Sequence, residues 1–122
     1  MTNEINYSEV FGLLKPVLPQ EWKQIILYLE YGQTSYSFAY YVNTGTGQFV
    51  KCYDLPGISD EAILNAFSQI DTLIKPQQKE ECWTNATIRF DSENKITIDY
   101  DYTDLTNHAY QYRKNWKLKY LK

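Results

Sequence analysis

Histidine is nearly absent, His108 being the only one in 122 residues. Metal centres built on several imidazoles therefore lie outside what this chain can assemble, and no metal or cofactor is expected. Cysteine is equally scarce. Cys52 and Cys82 form no C-x-x-C pair, which suits buried thiols in a reducing compartment better than a disulfide frame. No apolar run approaches the length of a membrane span. The opening Met1-Thr2-Asn3-Glu4-Ile5-Asn6-Tyr7 has neither the basic nor the hydrophobic region of a secretory signal. The chain reads as cytoplasmic, with no membrane partner. There is no basic excess either, since 12 Lys and Arg stand against 15 Asp and Glu for a net charge of −3. A nucleic acid is therefore not an expected direct partner.

Aromatic residues are plentiful by contrast. Twelve of the residues are tyrosine, a side chain whose apolar body and polar tip suit half-buried strands and protein interfaces alike. With 43% hydrophobic residues the composition is globular, and the length fits a single domain spanning residues 1–122. No repeat, linker or low-complexity tract divides it.

Periodicity then sets out the elements. Val10, Leu14 and Val17 recur at helical spacing in a first helix from about Asn3 to Lys15, which Pro16 and Pro19 should end or kink. Trp22 to Tyr31 reads as an apolar strand, turned by Gly32-Gln33 into a second, where Tyr36, Phe38, Tyr40 and Val42 alternate with Ser35, Ser37, Ala39 and Tyr41. Asn43-Thr44-Gly45-Thr46-Gly47 turns the chain into a third strand from Gln48 to Tyr53, completing a meander. After Asp54-Leu55-Pro56-Gly57, Ser59 is placed to cap a helix whose first turn carries Asp60 and Glu61. Ile63, Phe67, Ile70 and Ile74 form its apolar stripe. Lys75 and Pro76 should close it, leaving Gln77 to Glu81 as a polar loop before Trp83.

A second hairpin follows, and parity registers it. A loop at Ser92-Glu93-Asn94 opposes Thr87 to Asp99, Ile88 to Ile98, Arg89 to Thr97 and Phe90 to Ile96. A slip of one residue would set polar side chains against apolar ones throughout. One face is core. The other carries Thr87, Arg89, Asp91, Lys95, Thr97, Asp99 and Asp101. A short basic helix with Tyr112, Arg113, Trp116, Lys117, Lys119 and Tyr120 ends the chain. The order α-β-β-β-α-β-β-α defines an α+β fold: an antiparallel sheet of about five strands, a three-strand meander plus a hairpin, with helices packed on one face.

Catalytic templates find little to match. No G-x-S-x-G elbow is present, and Gly45-Thr46-Gly47 lacks the lysine and helix of a phosphate loop. His108 fits a solvated helix-start position, and Asn85-Ala86-Thr87 matches a glycosylation pattern without a secretion signal to give it meaning. Asp99 and Asp101 are the best catalytic pair, because residues two apart on a strand share a face with Cα atoms roughly 6.5–7 Å apart and paired carboxylates can divide acid and base work. Arg89 and Lys95 on the same face explain them equally well as solvated charges. A small hydrolase using Asp99 and Asp101, or a small-molecule-binding module, remains the alternative to a non-enzymatic binding protein.

Three segments also resemble a known family. Leu18-Pro19-Gln20-Glu21-Trp22 with Tyr36-Ser37-Phe38-Ala39-Tyr40-Tyr41 is similar to the opening of the YezG-like immunity proteins. Trp83-Thr84-Asn85-Ala86-Thr87-Ile88-Arg89-Phe90 resembles their tryptophan-led strand. Ile98-Asp99-Tyr100-Asp101-Tyr102-Thr103-Asp104-Leu105, followed by Tyr112-Arg113 and Trp116 to Leu121, resembles their closing signature. The resemblance implies an immunity protein, or antitoxin, of a bacterial polymorphic toxin system, which binds and neutralises a cognate toxin domain, often a nuclease. On that footing the acidic set Asp91, Asp99, Asp101 and Asp104, flanked by Trp83 and Tyr102, is expected to meet a basic patch on the toxin.

Overall fold

The computed structural model of the chain describes residues 4–32, 35–93 and 95–121. Asn3 of the expected first helix, Gln33 of the expected turn and Asn94 of the expected hairpin loop lie outside the described residues. The element order is α1 (Tyr7–Leu14), a 3₁₀ turn (Lys15–Val17), β1 (Gln24–Tyr31), β2 (Tyr36–Asn43), β3 (Val50–Lys51), a second 3₁₀ turn (Cys52–Asp54), α2 (Asp60–Glu81), β4 (Asn85–Asp91), β5 (Ile96–Asp101) and α3 (Ala109–Tyr120). The fold is α+β, and its five antiparallel strands lie in the order β3-β2-β1-β4-β5.

Local chemistry accounts for most boundaries. The Asn6 side chain accepts from the Glu9 amide at 3.2 Å and donates to the Glu9 carboxylate at 2.9 Å, a reciprocal cap that starts α1. Pro16 cannot donate within a continuing helix, so the chain tightens into the 3₁₀ turn that delivers Val17 to the core. Gly45 and Gly47 take φ of 116° and 86°, which an L side chain rarely adopts, and their amides donate to the Asn43 carboxamide. At the head of α2, Ser59 accepts from the Ala62 amide at 3.2 Å.

Two boundaries differ from expectation. Strand β3 covers only Val50–Lys51, because Cys52 and Leu55 turn inward and are buried beneath the meander. Helix α2 does not stop at Pro76 but continues to Glu81, so the expected polar loop is helical. A proline inside a helix costs about 3 kcal/mol through its missing donor and its clash with the preceding turn. Here the last turn is anchored from outside. The Trp83 indole donates to the Gln77 carboxamide at 2.7 Å, and the Gln78 amide group donates to the Trp83 carbonyl at 2.7 Å. Cys82 then closes the helix in the left-handed conformation, φ 64°.

The second hairpin pairs Thr87 with Asp99, Ile88 with Ile98, Arg89 with Thr97 and Phe90 with Ile96, as the alternation predicts. Ile88 and Phe90 are buried and Ile98 and Tyr100 pack against the same core, while Ile96 at the sheet edge stays 38% exposed. The helices divide between the two faces. α1 and α2 cover the face of Ile25, Leu27, Leu29, Phe38, Tyr40 and Ile88. α3 crosses the other, where Ile26, Tyr28 and Tyr41 enclose Trp116. That division explains β1, which is buried at seven consecutive positions.

Replacing Pro76 with alanine restores a helical donor on an exposed turn, so Pro76→Ala should raise stability by about 1–2 kcal/mol after allowing for the looser unfolded chain. Trp83→Phe removes the indole donor to the buried Gln77 carboxamide and should lower it by about 1–3 kcal/mol. Urea unfolding monitored by circular dichroism measures both, and a destabilised Pro76→Ala protein would contradict the account of α2.

Candidate functional site

The sheet face that alternation left polar is the seat of α3. Tyr112, Trp116 and Tyr120 stand four residues apart and so form one inward stripe of the helix. Each ring ends in a polar atom, and each finds a partner on the hairpin. The Tyr112 hydroxyl donates to Asp101 at 2.9 Å, the Trp116 indole to the Thr87 hydroxyl at 2.8 Å, and the Tyr120 hydroxyl to Asp99 at 3.0 Å. Trp116 meets Tyr28 edge-on with ring centroids 4.8 Å apart and also packs on Tyr41 and Tyr120. Such aromatic pairs contribute about 0.5–1.5 kcal/mol beyond their area.

Beneath this layer lies a carboxylate. Glu30 is 7% exposed and is held by a two-pronged pairing with Arg113, whose Nε donates at 2.9 Å, and by the Tyr28 hydroxyl. A charge so placed is tolerable only when paired and hydrogen-bonded. Burial first, then the bond to Glu30, pushes the Tyr28 hydroxyl far above its ordinary range, and hydrogen bonding to Glu30 raises Arg113 likewise. Thr87, 1% exposed, extends the network to Asn85, whose carboxamide donates to the Leu29 carbonyl. Asn85 is thus a buried structural residue and no glycosylation acceptor.

The expected acidic set is therefore dispersed and partly occupied. Asp99 accepts from Tyr120. Asp101 accepts from Tyr112 and from the Thr103 amide and hydroxyl at 2.9 and 2.6 Å. Burial opposes its ionisation, but the Thr103 and Tyr112 hydrogen bonds outweigh that and hold it below the ordinary value of 3.8. Asp104 is fully exposed, and hydrogen bonds from the Thr106 hydroxyl and amide lower it too. Asp91 sits at the far end of the hairpin, accepting from the Glu93 amide at 2.8 Å. Tyr102 is 58% exposed. Trp83 is a correction: it is fully buried in the α1–α2 core, because its indole is committed to Gln77, and it presents no surface to a partner.

A general acid needs a carboxyl kept protonated near neutrality, and Asp101 is driven the other way. His108 occupies the N-cap position of α3, Cys52 is buried and Cys82 caps α2. Among the described residues no three His, Cys, Asp or Glu side chains gather as metal ligands. Parity alone could not reveal the docking of α3. Two signals do carry it: the aromatic stripe at 112, 116 and 120, and the unbroken apolar run of β1, which marks a strand covered on both sides.

The model of one protein family, described as immunity protein YezG-like, matches residues 4–122. The chain is also similar to the immunity protein YezG of Bacillus spizizenii strain W23, 26% identical over 109 residues that cover 81% of this chain and 68% of the relative. A second relative, the immunity protein YezG of Bacillus subtilis strain 168, is 24% identical over 109 residues, covering 81% of this chain and 72% of its own length.

Attachment of α3 should depend on pH in both directions. The depressed Asp101 contributes stability that is present above pH 3.8 and is lost as acidification passes its folded value. The raised Tyr112 contributes stability that is present below pH 10.0 and is lost as pH climbs beyond it. The Trp116 indole NMR signal, protected from solvent exchange between these limits, should lose protection at both. Arg113→Ala leaves Glu30 buried beside Tyr28 alone and should cost about 1–3 kcal/mol in thermal unfolding, below the full figure for a buried pair because Arg113 is half exposed. An unchanged melting temperature would show the pair to be ornamental.

Proposed function

The chain belongs to the YezG-like immunity protein family, and on that premise we propose that it binds and neutralises a cognate bacterial toxin domain inside the cell, without catalysis of its own. The observation that carries this reading is the family match from residue 4 to residue 122, which takes in the whole sheet and all three helices. The site chemistry supports it. The Asp99–Asp101 pair that alternation suggested for catalysis is hydrogen-bonded to tyrosines of α3, and among the described residues no helix is long and apolar enough to cross a membrane. What remains is a rigid surface, which suits association with a partner more than turnover.

The toxin domain is proposed to carry a basic patch, as the phosphate-holding groove of a nuclease must, and the protein to occlude it. Asp104, bonded only within its own turn, is the carboxylate with most freedom to meet such a patch, exposed Tyr102 stands near it in the chain, and Asp99 adds charge while accepting from Tyr120. Asp101 adds charge while serving Tyr112, and Asp91 adds a more distant contact at the hairpin tip. Complementary charge of this kind raises association rates more than it deepens equilibrium affinity. Direct binding of nucleic acid has no part in this mode of action.

Co-expression with the toxin encoded beside its gene should rescue growth, and the two proteins should co-elute. A toxin that kills undiminished, with no complex formed, would sink the proposal. Asp104→Lys should slow association severalfold at low ionic strength and flatten its salt dependence, while the fold, which does not rely on Asp104, is retained.

A further inference from the structure

The sheet ends on two unlike edges. β3, at one of them, is two residues long and gives way at once to a 3₁₀ turn. β5, at the other, stays extended for six residues, Ile96–Asp101. The strands beside it fix its hydrogen-bond phase. The Asp91 amide donates to the Lys95 carbonyl at 2.9 Å, and the Tyr31 amide to the Thr84 carbonyl at 2.9 Å. Bonds alternate sides along an antiparallel strand, so the odd-numbered residues of β4 bond to β5 and the even-numbered ones to β1. Lys95, Thr97, Asp99 and Asp101 therefore turn their amides and carbonyls toward β4, while Ile96, Ile98 and Tyr100 turn theirs outward. Among the described residues no backbone bond meets those three from outside. Within its register the edge carries neither proline nor bulge, two devices that stop a strand from pairing further. Ile96 stands 38% exposed on it, and Tyr7 of α1, 43% exposed, lines the same margin.

We propose that this edge pairs with the same edge of a second copy of the chain, antiparallel about a two-fold axis at Ile98, so that the sheet continues from one protomer into its partner. A two-fold contact must be self-complementary, and the sequence of β5 is its own complement. With the axis at Ile98, that residue faces its symmetry mate and Ile96 faces the partner's Tyr100. These pairs exchange amide hydrogen bonds, because all three residues turn their backbone outward. The polar positions between them match as well. Lys95 stands opposite the partner's Asp101 and Thr97 opposite the partner's Asp99, at the closely spaced sites where cross-strand side chains interact most. Neighbouring registers fail. An axis at Asp99 would set that carboxylate against its own mate, and an axis at Thr97 would leave Tyr100 beyond the partner's strand. A strand of another protein would find the same amides, but the complement of apolar pairs and opposite charges is already present in β5 itself. The inference stands apart from the immunity reading and does not depend on it.

Sedimentation of the full chain at rising concentration tests it. The wild type should pass from monomer to dimer between micromolar and millimolar concentration, and a monomer throughout overturns the proposal. Ile96→Pro removes one outward amide and leaves the β4 ladder intact, since proline is tolerated where the N–H faces away from the sheet. Lys95→Glu sets like charges opposite each other at both ends of the pair. Each should raise the dissociation constant by about tenfold, with circular dichroism showing the protomer still folded. Lys15→Glu, which makes the same change in net charge at an exposed site away from β5, should leave it unchanged. Equal dimerisation in every variant overturns this edge as the contact. Cysteine cross-linking reads the register, in a Cys82→Gly background because glycine suits the left-handed backbone there. Ile98→Cys should oxidise to a covalent dimer, as directly opposed strand residues lie at disulfide distance, and Thr97→Cys should not. The reverse result overturns the axis at Ile98. Should the wild type stay monomeric while Ile96→Pro weakens its binding to the toxin of the co-expression assay, the edge belongs to the toxin and the second copy is overturned as its occupant.

Discussion

Glu30 lies in the central strand with its carboxylate beneath a helix, and a buried charge of that kind obliges its surroundings to answer it. Arg113 answers with a two-pronged pairing and Tyr28 with a hydroxyl, so α3 can occupy only the rotation and height that put Arg113 over β1. Once that is set, Trp116 falls between Tyr28 and Tyr41, and Tyr112 and Tyr120 reach Asp101 and Asp99 at the two ends of the same stripe. The hydrogen bonds specify the pose, and the rings supply much of the adhesion through buried area. A helix so polar that it would be marginal alone in water thereby becomes the second layer of the domain.

Docking α3 in this pose also sorts the surface charges. α3 carries Arg113, Lys114, Lys117 and Lys119 and no carboxylate, whereas β5 and the segment after it carry Asp99, Asp101 and Asp104. On the β4–β5 side of the helix the carboxylates stand among cations, with the Arg89 guanidinium 5.8 Å and the Lys119 ammonium 5.1 Å from the centroid of the Tyr120 ring.

The same docking ties two aspartates of β5 into the fold. Asp101 accepts three hydrogen bonds and Asp99 one from a tyrosine of α3. The bonds from Thr103 and Tyr112 favour the ionised form of Asp101, and the Tyr120 hydroxyl engages one oxygen of Asp99. Their structural employment also distinguishes them from Asp104, which is fully exposed and bonded only within its own turn. Of the acidic residues near α3, Asp104 has the most freedom to meet a partner.

By itself, the sequence determined the elements, their order and the register of the second hairpin, because a period of two or of 3.6 and the offset of a cap are local properties that parity and spacing express directly. Ile88 opposite Ile98 and Ser59 at the head of α2 needed no knowledge of the rest of the molecule. Tertiary structure alone decided that α2 runs on past Pro76, since the offsetting hydrogen bonds come from Trp83, outside the helix. It alone decided that α3 covers the polar side of the sheet and that Trp83 lies in the core instead of on the binding surface. Alternation tells which side chains share a face, but a face that is half polar can be wetted by solvent or covered by a helix of matching hydroxyls and cations. Which of these occurs depends on the long-range pairing of Glu30 with Arg113, a contact between residues far apart in the chain.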